Sequence, residues 1–301
     1  MKLSEHLQKF LEYLEITKNK SKKTLENYNH YLKRFIDFLD KDIEPEKITL
    51  DDINKYRLYL NRLEDKNGNT LGSKTQNYHV IALRAFLKYL TRQDIETLAP
   101  EKIELSKIPQ RTVEVMSREE LESVFNAVDK LTPLGIRDTA ILETLYSTGL
   151  RVSELKNLNR DQVDLKRREF MVRGKGKKPR IVFLSKNAVT AIENYLKTRV
   201  DNFKPLFVNN LKVSDILEEE KHRLTAVSIE KMVRKYALKA GLIKKITPHT
   251  FRHSYATELL INGADIRSVQ EMLGHSSITT TQVYTHVTNK KLREIHEKFH
   301  K

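Results

Sequence analysis

Apolar residues recur at helical spacing along most of this chain; Gln93–Val115 shows little periodicity, and Glu169–Leu184 changes character altogether. In Ser21–Leu39 the apolar or aromatic positions Tyr28, Leu32, Phe35 and Leu39 step by 4, 3 and 4, which is one face of an α-helix. Ile53, Tyr56, Leu60 and Leu63 repeat the pattern, and Ala82, Phe86 and Leu90 form a third face after the turn cluster Lys66–Gly72. Glu169–Leu184 reads EFMVRGKGKKPRIVFL, two β-prone stretches around Gly174-Lys-Gly, and predicts a hairpin. The short apolar run Leu206–Val208 predicts a further strand. The fold expected is mainly α: an all-helical first domain over 1–92, a linker over 93–115 marked by Pro100 and Pro109, and a mostly helical second domain over 116–301 with a small antiparallel sheet.

Caps divide the second domain. Ser117 and Glu120 have capping-box spacing. A helix over Ile136–Ser147 should stop at Gly149, where a left-handed C-cap fits, and Ser153 is placed to cap the next one. Thr247 and Pro248 suit an N-cap and a first helical residue, and Gly241, Gly263 and Gly274 each fall at a helix end.

The chain carries 55 Lys and Arg against 40 Asp and Glu, a formal charge of +15, which favours a polyanionic partner. At 39% hydrophobic it can build cores and is not a disordered basic tail. It has no cysteine, which excludes disulfides, thiolate zinc sites, iron–sulfur clusters and cysteine nucleophiles. No apolar run suits a transmembrane helix or the core of a signal peptide, so the location expected is cytoplasmic, with no membrane partner.

His249 and Arg252, three apart in the first turn of a predicted helix, suit an anion; they equally suit a surface histidine and a salt-bridged arginine. His249 and His253 are four apart, but Thr250 stands where the metalloprotease pattern needs Glu, so no metal site is expected. His275 follows Gly274, and Tyr284 lies in a polar stretch where it either packs or, beside cations, acts as a nucleophile. Arg151 follows a helix stop and either points into a cleft or braces the junction. Lys175 sits at the hairpin tip among Lys177, Lys178 and Arg180, a solvated basic turn or a lysine able to protonate a leaving oxygen in a DNA groove.

Arg151, Lys175, His249, Arg252, His275 and Tyr284, in that order, together with TGLRVSEL, RGKGKKPR, TPHTFRHSYATELL and LGHSSITTTQVYTHV, resemble the tyrosine recombinase (phage-integrase-type) family, and within it the Xer site-specific recombinases. SKKTLENYNHYLKRFIDFL is similar to the opening of the family's SAM-like core-binding domain. The resemblance implies cofactor-free cutting and rejoining of duplex DNA. Tyr284 would form a 3′-phosphotyrosyl bond, and Arg151 and Arg252 would clamp the phosphate. His249 and His275 would hydrogen-bond it, and Lys175 would be the general acid. Glu154 would at most support the arginine. Further DNA contacts expected are Lys22, Lys23, Arg84, Lys177, Lys178 and Arg180.

The resemblance also implies a tetrameric synapse, homomeric or with a sister recombinase. Strand exchange in it passes through a Holliday junction, and an exchange helix over 288–301 docks on a neighbour. A DNA translocase as regulator is compatible with it. Resolution of chromosome or plasmid dimers is favoured over mobile-element integration, because the core-binding motif begins about twenty residues in and leaves no room for an arm-binding domain. A type IB topoisomerase and a non-catalytic DNA-binding protein are the other readings. Two departures stand out: Asn209–Arg223 is long and acidic, expected to face solvent or a partner, and Glu258 stands where relatives often carry His.

Overall fold

The computed structural model describes residues 1–65, 68–106, 114–174, 179–209 and 219–274. The chain forms two compact units, Met1–Arg111 and Thr112–Lys301. Among the described residues no helix is long and apolar enough to cross a membrane.

The first unit is helical: α1 (Leu3–Ile16), α2 (Lys22–Phe38), α3 (Leu50–Arg62) and α4 (Ser73–Arg92). Ser21 caps α2 by accepting from the Thr24 N–H, and Thr49 and Asp52 close a capping box on α3. The predicted apolar faces meet in one core, with Phe10, Leu32, Phe35, Ile53, Tyr56, Leu60, Phe86 and Leu90 all buried. Residues 93–106, within the span expected as a linker, pack onto the first unit. Ile103 is buried in the same core, the Asn77 amide donates to the Ser106 carbonyl (3.0 Å), and Arg57 reaches the Glu104 carbonyl (3.1 Å). The segment adheres because it carries an apolar anchor and because α3 and α4 offer side-chain partners to its backbone.

The second unit contains α5 (Arg118–Asn126), α6 (Pro133–Thr148), α7 (Val152–Lys156), α8 (Lys186–Lys197), α9 (Ala226–Lys239), α10 (Pro248–Ile261) and α11 (Ile266–Leu273). Its sheet has β1 (Val163–Asp164), β2 (Glu169–Arg173) and β3 (Pro179–Phe183), antiparallel in sequence order. Met171 pairs with Ile181 and Phe170 with Val182. Alternation buries Phe170, Val172 and Val182 and turns Met171, Ile181 and Phe183 outward. Leu206–Val208 is buried but is not a strand; the backbone there makes only isolated bridges, Asn159 to Pro205 and Val208 to Arg223. The core joins Leu142, Leu145, Leu155, Ile192, Phe207, Val233 and Phe251.

The capping box at Ser117 forms as expected, with Ser117 N–H donating to Glu120 Oε2 at 2.8 Å. Just before it, the Met116 N–H donates to Ser254 Oγ of α10 (2.8 Å), and Lys244 Nζ donates to the Val115 carbonyl (2.9 Å) and to Glu120 (2.6 Å). The start of the second unit is thereby stitched to α10 and to the segment leading into it.

Candidate active site

α6 ends where predicted. Gly149 takes φ +58° and its N–H donates to Leu145 O at 3.0 Å. A Cβ there would lie 2.5 Å from Tyr255 Cδ1, so only glycine fits both the backbone turn and the packing. α7 starts two residues earlier than Ser153 as a cap would place it. Arg151 is the N-cap residue, and its N–H donates to Glu154 Oε2 (2.9 Å). The carboxylate three residues on takes the helix-start donor, so the serine hydroxyl is not needed as a cap.

Arg252 lies on α10 and is 3% exposed. Its Nη1 donates to Gly149 O and its Nη2 to Leu273 O, both at 2.6 Å. One guanidinium thus spans the carboxyl ends of α6 and α11, where backbone carbonyls lack helical partners and the helix dipole is negative. His249 is on the same first turn and exposed, after the Thr247 cap and Pro248. The capping box pairs Thr247 with Thr250, through N–H to hydroxyl distances of 3.3 and 3.1 Å.

Arg151 and Arg180 share one carboxylate. Arg151 Nη1 donates to Glu154 Oε1 (3.0 Å), Arg180 Nη1 to the same oxygen (3.0 Å) and Arg180 Nη2 to Oε2 (2.7 Å). The Arg151 side chain is 27% exposed, Glu154 6% and Arg180 9%. Burial alone would raise the Glu154 pKa. The Arg180 hydrogen bonds, the Arg151 N–H and the two guanidinium charges outweigh it and hold the carboxyl below its ordinary value. Arg180 was expected as a DNA contact, yet it faces inward beside Val182 on β3 and spends its third donor, Nε, on Met272 O at 3.0 Å. Strand alternation decides this: the basic run conceals one inward position.

Arg151, His249 and Arg252 are therefore placed by α6, α7 and α10. Lys175, His275 and Tyr284 lie outside the described residues, as do Lys177, Lys178 and the 288–301 helix. Of the remaining expected contacts, Lys22 and Lys23 are exposed in the first turn of α2, Lys23 with Glu26 at 3.1 Å, and Arg84 is half-buried on α4. Among the described residues no group of three His, Asp or Glu is arranged to hold a metal ion. Glu219 and Glu220 pair with Lys204 and Arg223 of their own unit, while 210–218 and Glu218 lie outside the described residues. Glu258 accepts from Tyr146 Oη, linking α10 to α6. Sequence reasoning missed the bridging role of Arg180; its signal was the inward register shared with Val182.

Comparison with known proteins agrees with this architecture. Residues 114–291 match the model of the phage integrase family, and residues 7–94 match that of the phage integrase N-terminal SAM-like domain. The chain is 42% identical over 224 residues to the tyrosine recombinase XerD of Listeria innocua serovar 6a, covering 74% of each. It is 36% identical over 301 residues to the tyrosine recombinase XerC of Pelotomaculum thermopropionicum, covering 98% of this chain and 97% of that protein. Among solved structures, the Tn1549 transposon integrase in complex with transposon right end DNA superposes with a TM-score of 0.78 at 21% identity, covering 99% of each chain; at that identity the likeness is one of fold.

Proposed function

This chain belongs to the phage integrase family, the tyrosine recombinases, and from that premise we propose how its site works and what it serves. It is a site-specific DNA recombinase acting on duplex DNA. Arg151 and Arg252 hold the non-bridging oxygens of the scissile phosphate. A guanidinium is a planar fork that suits two phosphate oxygens, and charge growing on those oxygens in the transition state strengthens the contact. Tyr284 attacks phosphorus and displaces the 5′-oxygen, which takes its proton from Lys175. His249 and His275 donate hydrogen bonds to the phosphate, and His249 accepts the tyrosine proton. The 3′-phosphotyrosyl bond conserves the diester, so a 5′-hydroxyl from a partner duplex reverses the step without a nucleotide cofactor.

The observation that carries this reading is Arg252, buried and braced across the ends of α6 and α11, with Nη1 on the carbonyl of Gly149 two residues before Arg151. The biological task that fits best is resolution of chromosome or plasmid dimers, through a Holliday junction in a tetramer in which the 288–301 segment docks on a neighbouring protomer. A nicked suicide duplex tests the chemistry. Expected is a slower band of protein joined to a DNA 3′ end, formed in EDTA and absent from Tyr284→Phe. An adduct that persists in Tyr284→Phe, or one that needs Mg²⁺, would sink the mechanism.

A further inference from the structure

Three separate segments converge on the Arg180 side chain. From the first comes Glu154, both of whose carboxylate oxygens accept from the Arg180 fork. The second is the end of β2: a Cβ on Gly174 would lie 3.2 Å from Arg180 Nη1, 3.7 Å from Glu154 Oε1 and 3.9 Å from Arg151 Nη1. The third is the end of α11, where Met272 O accepts from Arg180 Nε at 3.0 Å. A Cβ on Gly274 would lie 3.0 Å from both Arg180 Cδ and Nη1, and Gly274 has φ +64°. The residue after Gly174 is Lys175, and the residue after Gly274 is His275. Two glycines, each next to a candidate catalytic residue, thus lie against one guanidinium.

We propose that Arg180 is the positioning residue of this site: locked to Glu154 and to the Met272 carbonyl, it sets the points from which the 175 and 275 segments depart and so brings Lys175 and His275 to the phosphate held by Arg151 and Arg252. The inference rests on the recombinase reading above. A buried ion pair serving stability alone could be exchanged for packed apolar side chains at little loss. This one does more than fill space. Its carboxylate also holds the partly exposed Arg151, and its guanidinium bonds the Met272 carbonyl and lies against Gly174. Lysine cannot replace it, because an ammonium has no planar fork to engage both oxygens of Glu154 while a third donor reaches Met272 O.

The test compares leaving groups. The probe is a nicked duplex carrying the site that the protein selects from a randomised pool, made with either an ordinary 5′-oxygen or a 5′-bridging sulfur at the scissile phosphate. Sulfur leaves without a proton, so a misplaced general acid matters less with it. Arg180→Lys is expected to slow adduct formation about 100-fold with oxygen and about tenfold or less with sulfur, as a displacement of about 1 Å would do. Affinity for the intact duplex should stay within about twofold. Equal slowing on both substrates, wild-type rates, or a loss of affinity would each overturn the proposal. Should Arg180→Lys fail to fold, Gly174→Ala presses on Nη1 without changing any charge, and the same oxygen-to-sulfur differential is required of it. A wild-type chain that forms no Tyr284-dependent adduct overturns the recombinase reading itself.

Discussion

At the scale of single residues, the site is a set of arginines held by different acceptors. Arg252 is held by two carbonyls, and its replacement by Ala leaves both of them without these donors. At about 1–3 kcal/mol for each buried acceptor, Arg252→Ala should lower the unfolding free energy by several kcal/mol, a loss that urea denaturation of the variant would read. Glu154 adds a pH dependence. Its folded pKa lies below the ordinary carboxylate value, so its stabilisation is fully present above that value, about 4.3, and is lost as pH falls through the folded pKa. Asp201, held low in the same sense by Arg199 hydrogen bonds that outweigh its burial, acts in the same window. Melting temperature should therefore drop on acidification below about pH 4, and Glu154→Gln should flatten that limb while lowering the plateau at neutral pH. An unchanged acid limb in Glu154→Gln would show that the carboxylate is not ionised by virtue of its partners.

At the scale of elements, most of the helices were legible because caps and glycines punctuate them. Ser21, Ser117, Thr247, Gly149 and Gly274 all act as their residue types suggest. Three features were not legible, each for a physical reason. Residues 93–106 lack periodicity, yet they pack, because Ile103 and the Asn77–Ser106 pair act through tertiary contacts that no local pattern shows. Leu206–Val208 is apolar enough for a strand, but among the described residues it finds only isolated bridges and no ladder. Arg180 sits in a run of basic residues that reads as solvated, and only its register against Val182 reveals that it is inward. In the candidate site, residue types and order singled out Arg151 and Arg252 as candidates, whereas the brace of Arg151 through Glu154 and Arg180 and that of Arg252 on Gly149 O and Leu273 O are properties of tertiary structure. Two outcomes belong to this scale. A fragment ending at residue 106 should melt higher than one ending at 92, since the shorter chain loses the Ile103 anchor; circular dichroism of the two would decide. Gly149→Ala combines a left-handed backbone with a Cβ 2.5 Å from Tyr255 Cδ1, and should cost at least the ~1–2 kcal/mol of the backbone alone.

At the scale of the whole molecule, the proposed mechanism divides the +15 charge between groups assigned to one phosphate and a broader basic complement. The broader part should govern salt dependence. Each phosphate neutralised contributes about −0.9 to the slope of log K against log salt. Replacing exposed Lys22 and Lys23 by Ala should make that slope shallower by about 1–2. Arg180→Lys should leave it unchanged, because its charge is already matched inside the protein by Glu154. Filter binding over a salt series measures both. The stitch at the start of the second unit has a mechanical consequence. Met116 is tied to Ser254, two residues beyond Arg252 on the same helix, and Lys244 holds Val115 beside it. A pull on the chain at residues 115–116 is therefore borne by α10, which carries His249 and Arg252, and by the Lys244 segment leading into it, and not by a free end.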